Sequence, residues 1–520
     1  MVGPLRVAFA AAEVTPWIST GGLGEVAAAL PKALAHRGCD VAVYVPLYAA
    51  VRTTIASKGA RLVDTGVVSQ VWVGGHRLDS QIFRIVARGE PLEHPAWSHS
   101  DEGDSAGPSQ RGRLRTYAVD CPVLFERDGV YGHRDDAARF STFARAVLNT
   151  AHRLLGGHPD IVHAHDWHAS LLPVYLAGPY RRLLPNTASV LTIHNLAYQG
   201  TFAASELPTI GLGPELLRPE ILEYYGAMNW LKGGIATADA ITTVSPRYAS
   251  EIRTEAYGER MDGVLRTHGN RLYGILNGID TDIWNPSSDT YLAKGYDASD
   301  LSGKAACRQA LLRMARMDPD DNHPVFGIVS RLSAQKGLDL LADLVPYLAS
   351  RSVRLVLLGK GDAALQDRFQ QLENQFHNHV RVRIGFEPDL AHVLQAGADA
   401  VLMPSRYEPC GLTQMYGMRY GTVPIVRAVG GLYDTVVPAT PRTIAEGTAT
   451  GFTYDHDTLQ GLQWAVDRAL DVYYSQPQVW RQLMRTGMNT DFSWDRSADR
   501  YLAVYGRALG RVRRGAHRRG

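Results

Sequence analysis

Short apolar runs separated by amphipathic stretches set the pattern of this chain. In the first half such runs fall at residues 5–11, 40–45, 160–165, 189–193 and 240–244, each ending in polar or glycine-rich residues and followed by helical spacing. Short apolar runs bounded by turn signals read as buried strands. Strands alternating with helices predict a parallel sheet covered on both faces. The pattern pauses around residues 271–285, passes a polar stretch at 287–323, and restarts with strands expected at 325–329, 354–358, 382–384, 399–403 and 422–426. An α/β protein of two doubly wound units joined near residue 275, with a cleft between them, follows from this order. Ligands of such sheets bind beyond the carboxyl ends of the strands. In the first half those ends are Glu13 onward, the His163-Ala164-His165-Asp166 stretch, His194-Asn195 and Ser245-Pro246.

Composition narrows the class. A chain of 520 residues is too long for one core, and 45% apolar with 20% charged residues excludes a disordered or fibrous protein. A net charge of +2 offers no overall attraction for a nucleic acid. The exception is the end of the chain, where Arg507, Arg511, Arg513, Arg514, Arg518 and Arg519 occur without an acid; it reads as a solvated, frayed tail. Residues 88–113 turn to Gly, Ser, Pro, Asp and His and predict a surface loop and candidate active-site flap. Cys39, Cys121, Cys307 and Cys410 are widely spaced, which argues against a disulfide framework or zinc site and fits a reducing cytoplasm. The apolar run at 7–12 is too short for a signal peptide, and no run approaches a membrane span.

Candidate chemistry centres on residues 399–431. An apolar strand breaks at Pro404, a polar loop carries Arg406 and Glu408, and a helical pattern begins near Cys410 and runs to about Tyr420. The first turn of a helix leaves N–H groups unpaired and attracts an anion such as a diphosphate. Gly411 lets backbone come close to such an anion, and Glu408 could then face an electron-poor sugar carbon. An ordinary helix N-terminus explains the same segment without a ligand. Ser19-Thr20-Gly21-Gly22-Leu23-Gly24 follows the first strand and opens a helix to about Ala35; a tight turn and a phosphate-approach loop are both open readings. His163, His165 and Asp166 invite a metal reading, but no distant further ligand is identifiable. His194 stands at another strand end, where structural and catalytic histidines both occur. Arg331 and Lys336 precede the amphipathic helix at 338–348, where the helix dipole opposes cations and an anionic ligand would remove the conflict. Asp318-Pro319-Asp320 has metal-binding spacing but lies in an irregular segment and reads as surface loop.

The run Pro404-Ser405-Arg406-Tyr407-Glu408-Pro409-Cys410-Gly411-Leu412-Thr413-Gln414, with Gly430-Gly431-Leu432, closely resembles the signature of bacterial glycogen synthases and plant starch synthases. The resemblance extends from residue 5 to about 506 and implies two Rossmann-like doubly wound domains facing a central cleft, the architecture called GT-B. Its implied bounds are 1–272 for the first domain, on the acceptor side, and 273–490 for the second, on the donor side. A helix at 491–510 would return to the first domain, and 511–520 would be a basic tail. The implied activity is transfer of glucose from ADP-glucose to the non-reducing end of an α-1,4-glucan with retention, without metal or cofactor. Glu408, His194, Asp166, Arg331 and Lys336 are the implied catalytic residues. The donor would meet Ser19, Gly21, Gly22, Gly24, Arg331, Lys336, Cys410, Gly411, Leu412, Thr413, Gly430 and Gly431. Sugar or acceptor would meet Asp166, His194, Asn195, Tyr198 and Gln199. Ser19 departs from the family, which has lysine there, and this puts donor affinity and the choice between ADP and UDP in question. The rival readings are a non-catalytic or UDP-glucose-using glucan-binding relative, a glycoside hydrolase acting through Asp166 and Glu408, and a nicotinamide oxidoreductase, against which stands the missing dinucleotide fingerprint.

Overall fold

The computed structural model describes residues 3–90 and 112–517. The candidate flap at 88–113 therefore lies almost wholly outside the described residues. The chain divides into two compact units: one comprises the chain up to Val244, Ala249–Gly278 and the chain from Trp494 onward, and the other comprises Ser245–Tyr248 and Ile279–Ser493.

The first unit is built on a nine-stranded sheet in the order Leu272–Gly274, Ala240–Thr243, Ala188–Ile193, Ile161–His165, Arg6–Ala10, Asp40–Pro46, Leu114–Asp120, His76–Val86, Arg61–Val73. All neighbours pair in parallel until the last two strands, which form an antiparallel ribbon at the edge. Asp40–Pro46 is buried at every position; a strand covered on both faces reads as a continuous apolar run. The ribbon leaves no such run. Arg61–Val73 buries Val67, Ser69, Val71 and Val73 and exposes Val68, Gln70 and Trp72, so the search for apolar runs misses it. Strand order reverses between Arg6–Ala10 and Ile161–His165, and the crevice beyond the carboxyl ends of two such strands is where doubly wound sheets hold ligands. Glu13 and Asp166 follow those two ends.

The last helix, Trp494–His517, belongs to this unit. It buries Trp494, Ala498, Tyr501, Tyr505 and Ala508, a stripe of helical period. Arg37 holds it with ion pairs to Asp495, at 2.7 Å, and to Asp499. The helix runs past residue 509 and takes in Arg511, Arg513 and Arg514, which corrects the frayed-tail reading as far as His517. Arg511 Nη2 donates to the carbonyl of Asn270 at 2.9 Å.

The second unit holds a six-stranded, wholly parallel sheet in the order Val380–Ile384, Arg354–Gly359, Val325–Val329, Ala400–Met403, Val423–Arg427, Phe452–Tyr454. Five of these strands match the apolar runs. The sixth, Phe452–Tyr454, is only three residues long, too short to show as a run. The order reverses between Val325–Val329 and Ala400–Met403, so the loops at 330–337 and 404–412 lie at the ligand position of this sheet. Helix Leu338–Ser350 buries Leu338, Leu341, Leu344, Val345 and Leu348. At about 1.5–3 kcal/mol for each fully buried aliphatic side chain, this stripe anchors the loop that precedes it. Among the described residues no helix is long and apolar enough to cross a membrane.

Candidate active site

In the first unit the site begins at Asp166. Its backbone is left-handed, with φ at 56°, a conformation uncommon for residues other than glycine and concentrated at functional sites. The turn aims the buried carboxylate across to the next strand end, where Oδ1 accepts from the backbone N–H of His194 at 2.7 Å and of Asn195 at 3.4 Å. Burial pushes the Asp166 carboxyl up to about 7, against the pull of those two N–H groups. Burial acts on the His194 imidazole in the opposite sense and lowers it to about 3, so the ring is neutral. His194 Nε2 lies 2.9 Å from His165 Nδ1.

Beside it the glycine loop is held from below by Glu13, which is buried. Its carboxylate accepts from the Thr20 backbone N–H, from Thr20 Oγ1 at 2.7 Å and from the Tyr131 hydroxyl. Helix Gly22–His36 starts immediately after. None of Gly21, Gly22 and Gly24 has positive φ, so the tight-turn reading does not explain them by backbone conformation. Gly24 is explained by packing, since a Cβ there would lie 2.8 Å from Ser19 Oγ. Gly21 meets no such neighbour: a Cβ would find nothing within 4 Å. Ser19 Oγ donates to the carbonyl of Gly21 at 3.1 Å.

In the second unit Glu408 is buried and its Oε2 accepts from Lys336 Nζ at 2.6 Å and from Ser405 Oγ at 3.0 Å. The ion pair joins the two loops at the strand-order reversal. The same loops are tied at further points. Arg406 reaches back with a bidentate pair to Asp339, both bonds 2.7 Å, and donates to the carbonyl of Ala334 at 2.7 Å. Gly337 is left-handed (φ 63°), and a Cβ there would fall 2.0 Å from the carbonyl oxygen of Pro404, so only glycine fits. Arg331 is exposed and forms no ion pair among the described residues. Behind Glu408, Gly430 and Gly431 press on its backbone: added Cβ atoms would lie 1.9 Å from the Glu408 carbonyl and 2.0 Å from that of Cys410. Gly431 N–H donates to the Glu408 carbonyl at 3.0 Å.

The structure thus brings Asp166, His194 and Asn195 together, and separately Lys336, Glu408 and the glycine pair at 430–431, with Arg331 on the loop that carries Lys336. One expectation is corrected. The helix expected from Cys410 is Thr413–Arg419, seven residues long. Cys410, Gly411 and Leu412 precede it in a loop braced by Gln414 Nε2, which donates to the carbonyls of Cys410 at 3.1 Å and Gly411 at 2.9 Å. Gln199 is occupied at both ends, donating to the Glu259 carbonyl at 2.9 Å and accepting from Asn229 at 2.6 Å, whereas Tyr198 is exposed. His163 binds Tyr505 Oη and Thr192 Oγ1 through its two nitrogens, at 2.8 and 2.6 Å, which makes it a structural histidine. Asp318 accepts from the N–H of Asp320 at 3.0 Å in an exposed turn. Among the described residues no cluster of His, Cys, Asp and Glu could hold a metal ion. Sequence reading gave no role to Tyr131 or Ser405. Ser405, three residues before Glu408, was legible as a hydrogen-bond donor; Tyr131 lies far along the chain from Glu13 and was not.

Residues 6–267 match the starch synthase catalytic domain family and residues 314–481 match glycosyl transferases group 1. A glycogen synthase of Anaeromyxobacter dehalogenans is 44% identical over 509 residues, covering 96% of this chain and 98% of that protein. One from Moorella thermoacetica is 41% identical, covering 97% of each. The catalytic domain of starch synthase IV from Arabidopsis thaliana, solved bound to ADP and acarbose, superposes with a TM-score of 0.86 at 33% identity, covering 98% of this chain and all of that one (100%). A sucrose-phosphate synthase from Thermosynechococcus elongatus shares the fold, with a TM-score of 0.57, 19% identity and coverage of 97% and 99%. These relatives bear out the resemblance and the GT-B-like pair of parallel-sheet domains. The chain belongs to the glycogen synthase and starch synthase family of glucosyltransferases, and its activity is that of a glycogen synthase.

Proposed function

We propose that the chain transfers glucose from ADP-glucose to the non-reducing 4-hydroxyl of an α-1,4-glucan with retention of configuration, with Glu408, Lys336, Arg331, His194 and Asp166 as the residues that act on the substrates. The observation that carries this reading is the ion pair of buried Glu408 with half-buried Lys336 at the ligand position of the second sheet. A lysine has three N–H donors, and Glu408 takes one, so Lys336 keeps donors for a phosphate oxygen. Arg331 adds a guanidinium suited to bidentate phosphate contact. As the bond from C1 to the diphosphate breaks, these cations and the glycine loop at Gly21 and Gly22 stabilise the leaving charge, which is electrostatic catalysis. Glu408, whose charge Lys336 balances in the resting site, stabilises the cationic character that develops at C1. The acceptor hydroxyl forms the new bond to C1 and gives its proton to the departing phosphate. Neutral His194 and the carboxyl group of Asp166 hold the glucose through its hydroxyls.

The ADP preference is supported by the ADP-bound starch synthase IV relative. Four buried cysteines that form no disulfide suit a reducing compartment, and we place the enzyme in the cytoplasm. The test is transfer of labelled glucose into glycogen from ADP-glucose and, separately, from UDP-glucose. ADP-glucose is expected to be the better donor by kcat/KM, and Arg331→Ala is expected to raise donor KM. Equal or better use of UDP-glucose would overturn the ADP assignment.

A further inference from the structure

His165 is buried against Phe9 and His163, whose ring centroids lie 4.0 and 4.1 Å from its own. A phenylalanine would fill the same space. What distinguishes a histidine there is its nitrogens, and they are used unequally. Nδ1 lies 2.9 Å from Nε2 of His194, whereas Nε2 is buried without a hydrogen-bond partner among the described residues. An unpaired buried polar atom is destabilising, a penalty that the single bond to His194 has to offset. His163 beside it has both nitrogens bonded and carries no such penalty.

A hydrogen bond between two neutral imidazoles needs one protonated and one bare nitrogen. Burial keeps both rings neutral: it holds His165 well below the ordinary histidine range and His194 at about 3. Two arrangements are then available. If His194 donated from Nε2, His165 would carry its proton on its own Nε2, a buried N–H with no acceptor. If His165 donates from Nδ1, its unpaired Nε2 is only a lone pair. Orphaned buried N–H groups are the rarer in folded proteins, which favours the second arrangement and leaves His194 with its proton on Nδ1.

We infer that His165 is a positioning residue that fixes the tautomer of His194, holding its proton on Nδ1 so that this N–H donates to a hydroxyl of the transferred glucose. The inference rests on the sugar contact proposed for His194. Asp166 completes the arrangement by holding the His194 backbone N–H at 2.7 Å, so ring and main chain are both fixed from the neighbouring strand end.

The test uses full-length protein labelled with 15N-histidine, the His194 resonances being identified by their loss in His194→Asn. In the unmodified protein at neutral pH, His194 Nδ1 is expected at the shift of a protonated nitrogen and Nε2 at that of an unprotonated one. The reverse would overturn the role of His165. His165→Phe is expected to mix the His194 tautomers and lower kcat about tenfold, the scale of one hydrogen bond, with donor KM little changed. His165→Asn, which can place an N–H near the former Nδ1, is expected to retain the tautomer and most of kcat. Equal losses in the two variants, or an unchanged His194 tautomer in His165→Phe, would overturn the inference. Undiminished kcat in His194→Asn would overturn the sugar contact instead.

Discussion

Burial sets the ionisation of the side chains at the first unit's strand ends, and it acts on acids and bases with opposite sign. The Asp166 carboxyl is raised to about 7 and the His194 imidazole lowered to about 3, both by loss of water. For Asp166 the unfolded chain ionises near the ordinary carboxylate value while the folded one still holds its proton, so stability present at low pH is lost as pH rises toward 7. Asp166→Asn removes that loss. Its stability relative to the unmodified protein is expected to grow from about pH 4 to about pH 7, by up to about 4 kcal/mol, and then level off, as read by urea unfolding across pH. A difference that does not change with pH would contradict the burial account. His194 works in the other direction: its folded value lies below its unfolded one, so it contributes stability above the unfolded value that is lost as pH falls toward 3.

At the scale of elements, the second unit's site depends on two loops being pressed together at the strand-order reversal. Gly337 is where they touch, and its left-handed φ of 63° and 2.0 Å clearance to the Pro404 carbonyl leave no room for a methyl group. Gly337→Ala is expected to destabilise the protein by about 2 kcal/mol or more and to lower transfer activity, because the Lys336–Glu408 pair spans the same junction. Thermal unfolding and the transfer assay check this together; an unchanged Tm would contradict it. Five parallel strands of each unit were legible because burial on two faces writes an apolar run into the sequence; Leu272–Gly274, Leu114–Asp120 and Phe452–Tyr454, parallel as well, were not. The edge ribbon was not, because it is buried on one face only. The loop at 404–412 was legible as chemistry, but the start of its helix was not, because Gln414 braces Cys410 and Gly411 through side-chain bonds that no periodicity reveals. Glu13 showed as a strand end, while its bonds to Thr20 and to the distant Tyr131 needed the fold.

For the whole molecule, the last helix returns the chain to the unit where it began. Tyr501 and Tyr505 are fully buried, and loss of aromatic side chains of that size from a core costs about 3–5 kcal/mol each. Removal of residues 494–520 is therefore expected to abolish soluble folded protein, whereas removal of 511–520 is expected to leave Tm and transfer rate nearly unchanged, as read from purified truncations. A folded protein lacking 494–520 would contradict the packing described here. The account as a whole turns on Glu408, whose buried carboxylate is paired with Lys336 in the resting site and assigned to the developing positive charge at C1. The direct measurement is incorporation of labelled glucose from ADP-glucose into glycogen by the unmodified protein and by Glu408→Ala and Glu408→Gln of checked Tm. The expected result is a loss of about a hundredfold or more in kcat in both variants, with donor KM little altered. Transfer by either variant at the unmodified rate would contradict the role of Glu408.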